Sequence, residues 1–154
     1  MKTPFRAAFR RAAISVVVAF GALTATVVTA TPAAAVGPCG SSYSHIGHYA
    51  VNSGSQGTGA YIDVYWSSSA QRNCAVLNGT GKTYGSGARK GILIWANGYY
   101  DRYDQDDRDY KYYAGPVYTP SGINMSGRCI NVEGIVEFPN GEIAAGHRYN
   151  VHCG

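Results

Sequence analysis

The chain has 154 residues, with 13 lysines and arginines against nine acidic residues for a formal charge of +4, a size that argues for one domain rather than several. Lys2, Arg6, Arg10 and Arg11 all lie in the first 35 residues, which hold no acid, so the part from residue 36 onward is formally neutral. A neutral working part argues against nucleic-acid binding through a basic face, because that needs clustered cations against phosphates.

Residues 1–35 read as a cleavable signal peptide. A basic stretch, Met1 to Arg11, precedes an apolar run from Ala12 to Ala30 and the ending Thr31-Pro32-Ala33-Ala34-Ala35, the order that secretion requires. An uncleaved membrane anchor is the alternative, but Thr24, Thr26 and Thr29 weaken the run and Pro32 with three alanines suits a peptidase. Residues 36–154 are then a single secreted β domain, with no membrane attachment after cleavage. Cys39, Cys74, Cys129 and Cys153 all fall in that part. An even number of cysteines in an exported chain predicts two disulfides with three connectivities open. Loop closure favours the two short pairings, Cys39–Cys74 and Cys129–Cys153. No Cys-x-x-Cys pair suggests zinc.

From residue 36 on there are only two leucines, Leu77 and Leu93, against all 13 tyrosines and both tryptophans. Such a composition favours strands over helices. Strands are predicted, in chain order, at Ser42–Val51, Ala60–Trp66, Cys74–Leu77, Gly91–Trp95, Tyr110–Tyr113, Gly115–Tyr118, Arg128–Glu133, Ile135–Phe138 and Arg148–Cys153. Within the second, Ile62, Val64 and Trp66 point one way and Tyr61, Asp63 and Tyr65 the other. Gly91–Trp95 is apolar throughout and reads as a central strand covered on both faces, Pro116 marks an edge or bulge, and Asn140-Gly141 marks a tight turn. About eight short strands in this length predict an all-β fold, a small disulfide-stapled sandwich or barrel.

Candidate chemistry is sparse. Asp101, Asp104, Asp106, Asp107 and Asp109 put five carboxylates in nine residues, a weak calcium candidate. Arg108 stands where a ligand belongs and no glycine serves the turn, so the stretch reads as a solvated, self-paired loop. His45 and His48 lie near the start, His147 and His152 near the end. Residues three or five apart on one strand face opposite sides, so neither pair alone makes a chelate, and no metal site is expected. Gly79-Thr80-Gly81-Lys82-Thr83 lacks the first glycine of a phosphate loop and reads as a hairpin turn. One acid–base set survives: Glu133 or Glu137 as base, Arg128 or Arg148 as anion clamp, His147 or His152 as acid, as in small secreted ribonucleases. Finally, Tyr99, Tyr100, Tyr103, Tyr110, Tyr112, Tyr113 and Tyr118 crowd into twenty residues. They either roof a leucine-poor core or form a binding surface.

Tyr110-Lys-Tyr-Tyr-Ala-Gly-Pro-Val-Tyr118 resembles a family of small exported actinobacterial proteins, the spore-associated protein A family. Cys39-Gly-Ser-Ser-Tyr43, Arg128-Cys-Ile-Asn-Val-Glu-Gly134 and Val151-His-Cys-Gly154 are similar to its other landmarks. The resemblance implies a secreted protein associated with spores or aerial hyphae, four cysteines in bridges and no catalytic residue. The resulting expectation is a non-enzymatic extracellular protein without cofactor, whose partners are spore or cell-wall surface components and not nucleic acid. A binder of carbohydrate or of a protease, and a small hydrolase such as a ribonuclease, are the alternatives.

Overall fold

Alternation of apolar and polar side chains becomes eight antiparallel strands in the computed structural model, which describes residues 37–154; the expected leader, 1–35, lies outside the described residues. The strands are β1 (Ser44–Ser53), β2 (Gly57–Ser67), β3 (Arg72–Gly79), β4 (Ala88–Ala96), β5 (Tyr103–Tyr110), β6 (Tyr113–Tyr118), β7 (Ile130–Glu137) and β8 (Ile143–Val151). They form two four-stranded sheets, ordered β1-β2-β3-β6 and β5-β4-β7-β8. Among the described residues no helix is long and apolar enough to cross a membrane.

The core lies between the sheets. Ile62 and Val64 of β2, Leu77 of β3 and Val117 of β6 meet Ile92 and Ile94 of β4 and Val132 and Val136 of β7 in one buried cluster. Removing each of these aliphatic side chains from water contributes about 1.5–3 kcal/mol. Rings complete what leucine does not supply: Phe138 is buried, and Tyr49, Trp66, Tyr99 and Tyr110 pack against the rim. Both disulfides have the expected pairing. Cys39–Cys74 ties the segment before β1 to β3, and Cys129–Cys153 ties the entry of β7 to the residues after β8. Such bridges persist in an oxidising environment.

The chain departs from the predicted elements at several places, and its last strand, expected at Arg148–Cys153, begins earlier, at Ile143. The aspartate-rich stretch is no loop: β4 pairs with it residue for residue from Ala88↔Tyr110 to Trp95↔Tyr103. Its charges are tolerated because β5 is an edge strand, where charged side chains are at home. Tyr110–Tyr113, expected as a strand, holds the bend between β5 and β6. The two runs around Gly134 are one continuous strand, β7. Residues 79–83 do not close a hairpin, since β3 and β4 belong to different sheets. They form a short 3-10 turn, Gly81–Thr83, anchored by the Thr83 hydroxyl donating to the Gly59 carbonyl. β4 is central as expected, but only its inner face is fully covered; Leu93 and Trp95 on the outer face are half-buried. Asn140-Gly141 turns between β7 and β8, with Gly141 at φ +83°.

Sequence periodicity hid one buried charge. Lys90 shares the inner face with Ile92 and Ile94 and is fully buried. Its Nζ donates to the Tyr110 carbonyl at 2.7 Å, and burial pushes its pKa down.

The sandwich has two lateral seams. Where β5 lies beside β6, Asp106 accepts the backbone N–H of Gly115 and Asp104 that of Tyr118, each at 2.8 Å. Where β1 meets the end of β8, the Tyr49 hydroxyl hydrogen-bonds His152 Nε2 at 2.9 Å, and the Arg148 guanidinium lies 5.1 Å from the Tyr49 ring centre.

Candidate functional site

Two outer sheet faces carry the polar and aromatic chemistry. On the first sheet, β2 presents Tyr61, Asp63 and Tyr65 outward, as its alternation predicts. β1 does not keep that alternation. His45 pairs with Tyr65 and Gly47 with Val64, so Ile46 is an extra residue, a β-bulge. The bulge resets the phase of the strand and brings His45 to the same face as His48. Both imidazoles then donate to one oxygen of Asp63: His45 Nε2 lies 2.9 Å and His48 Nδ1 2.6 Å from Oδ1. Asn78 Nδ2 of β3 donates to the other oxygen at 2.7 Å. This overturns the expectation that histidines three apart on one strand cannot serve one ligand, because that rule assumes an unbroken strand.

Burial alone would raise the Asp63 carboxyl, but the hydrogen bonds from His48, His45 and Asn78 outweigh it and hold the group below the usual carboxylate range. Rings fix the imidazoles. Tyr61 stacks on His48 with centroids 4.1 Å apart and planes 17° from parallel, and Tyr65 stands edge-on to His45 at 5.2 Å. Beyond them the Cys39–Cys74 bridge lies with Val76 beneath Tyr43, Tyr65 and Tyr118.

On the second sheet, a shallow cavity of about 290 Å³ is lined by Trp95, Asn97, Tyr100, Asn131, Tyr149 and Asn150. A second bulge builds it. The register of β8 against β7 slips between Ile130 and Val132, and Asn150 takes φ +54°, a conformation that asparagine tolerates better than most residues. Its backbone N–H donates to Asn131 Oδ1 at 2.9 Å and its side-chain oxygen accepts from Asn97 at 2.7 Å. Two buried donors have no partner, Trp95 Nε1 and Asn131 Nδ2. Both residues line this cavity. Each unpaired buried donor costs about 1–3 kcal/mol. Tyr149, half-exposed, leans on Trp95 with centroids 5.9 Å apart, and Tyr100 is 71% exposed.

The other sequence candidates divide between these faces and elsewhere. Glu133 and His147 are directly opposed across β7 and β8. Glu133 accepts the Tyr149 hydroxyl, which raises the phenol pKa, and His147 stacks on Tyr149 at 4.7 Å. The remaining acid–base candidates do not join them. Arg148 lies over Tyr49 and Arg128 near Tyr99, Glu137 pairs with Ile143 at the far end of β7, and His152 bonds Tyr49. The five aspartates are dispersed along β5 and the turn before it. Asp104 and Asp106 accept from β6, Asp107 pairs with Arg89 at 2.7 Å, and Asp101 and Asp109 are exposed. The seven tyrosines likewise divide. Tyr99, Tyr110 and Tyr118 are partly buried, Tyr100 and Tyr103 stand exposed about the turn between β4 and β5, and Tyr112 and Tyr113 about the next turn. Asp63, Asn78, Trp95 and Asn131 drew no attention as a group in the sequence, being separated by up to several strands. Comparison with known family profiles, characterised proteins and solved structures finds no match.

Proposed function

We propose that this chain is a secreted, non-enzymatic module that associates with a cell or spore surface, holding surface glycan in the cavity of the second sheet. The observation that carries this reading is a cavity lined by Trp95 and Asn131, whose buried donors Nε1 and Nδ2 lack partners, and flanked by the exposed rings of Tyr100 and Tyr149. A sugar matches both features. Its hydroxyl oxygens accept hydrogen bonds, and its C–H faces stack on aromatic rings whose ordering costs little entropy. The two disulfides favour an oxidising exterior. The resemblance of Tyr110–Tyr118 and the three cysteine-bearing segments to the spore-associated protein A family supports the spore surface as the location.

The test is co-sedimentation of the purified, oxidised chain with spores, washed cell walls and insoluble polysaccharides. Sedimentation of the native chain, reduced at least tenfold by Tyr149→Ala or Trp95→Ala, is the expected result. Recovery of native protein only in the supernatant overturns the proposal. The opposed pair Glu133 and His147 favours a second reading, a small hydrolase such as a ribonuclease. An RNA digestion gel decides it, since cleavage that survives His147→Ala removes this imidazole as the acid.

A further inference from the structure

The geometry points to a divalent transition-metal site on the outer face of the first sheet, ligated by His45 Nε2, His48 Nδ1 and Asp63 Oδ1, and best suited to Zn²⁺. These three atoms all lie within 4.8 Å of one another. Ligands of a tetrahedral zinc stand about 3.3 Å apart, so small side-chain rotations complete the set. Two imidazoles and one carboxylate are zinc chemistry, and three protein ligands leave a fourth position open to water or to a ligand atom. The histidine side chains are 47% and 53% exposed and Asp63 13%, so an ion enters directly from solvent.

Three independent features prepare the site. The bulge at Ile46 turns His45 to the face that carries His48 and Asp63. Asn78 holds the second oxygen of Asp63 from behind, the outer-shell contact that orients a ligating carboxylate. Tyr61 and Tyr65 limit the rotation of the two rings. Metal and protons compete here. Each imidazole now presents an N–H to Asp63, and binding moves that proton to the distal ring nitrogen or to solvent.

The test titrates Zn²⁺ into the oxidised chain by calorimetry and follows the four histidines by NMR. One ion per chain is expected, with the His45 and His48 ring signals shifting most and that of His147, on the other sheet, unmoved. Asn78→Ala weakens binding about 10–100-fold, and His45→Gln or His48→Gln weakens it further while circular dichroism stays native. Two results overturn the site: no heat and no ring shifts up to millimolar Zn²⁺, or shifts confined to His147 or His152. The NMR arm uses only the native chain, so misfolding of a variant leaves the proposal open to refutation.

Discussion

The two outer faces solve the same problem in opposite ways. On the first sheet every oxygen of the central carboxylate is occupied, with Asp63 taking three donors from two strands. On the second, an amide relay through Asn97, Asn150 and Asn131 ends in a donor without an acceptor, beside an indole N–H in the same condition. A saturated cluster stabilises the free protein and yields only to something that displaces its protons. An unsaturated one is a standing cost in the free protein, relieved when an acceptor arrives. One face is organised around a charge and the other around missing oxygens.

That contrast breaks most visibly at Asp63. Replacing it with alanine removes the acceptor of three hydrogen bonds and lowers stability by about 2 kcal/mol at neutral pH, read as an earlier urea midpoint under non-reducing conditions. The effect has a pH signature. The folded carboxyl is depressed, so its contribution is complete above the unfolded value of about pH 4 and fades as pH falls through the lower folded value. The gap between native chain and variant closes in acid; a gap unchanged at pH 2 contradicts the account. Asn78→Ala removes one of the three donors and lowers stability by about 1 kcal/mol, detectable in the same melts. Trp95→Phe is the smallest change and runs the other way. It deletes an unpaired donor, so the free protein is unaltered or slightly more stable, while retention on polysaccharide drops. A clear loss of stability from Trp95→Phe means the indole N–H has a partner after all and removes the contrast.

The sheet architecture was legible because Ile62, Val64 and their neighbours alternate cleanly, and because four cysteines leave few ways to pair. The candidate sites were not, and the reason is the same for both. Each sits on a bulge, at Ile46 and between β7 and β8 near Asn150, and a strict two-residue period places everything beyond a bulge on the wrong face. Gly47 was the available clue, since a glycine inside a strand marks a bulge or a close approach. Here it is both: a Cβ at that position would stand 2.5 Å from His152 Nε2. The alternation of β2 places Asp63 on its outward face, yet its partners come from the two flanking strands, β1 and β3, and only the fold brings them together. The aspartate run misled for another reason. Composition reads it as solvated loop, whereas an edge strand paired on one side accommodates the same charges.

Those aspartates matter for what the chain does not become. A protein concentrated on a surface meets many copies of itself, and a sheet border with free amides is the natural template for strand-by-strand growth into fibres. Asp104 and Asp106 occupy two such amides on β6, standing in for a ninth strand with nothing more than two carboxylates. Polymerisation along that border has to evict two charged acceptors first, so crowding of many copies does not by itself open β6 to strand-by-strand growth.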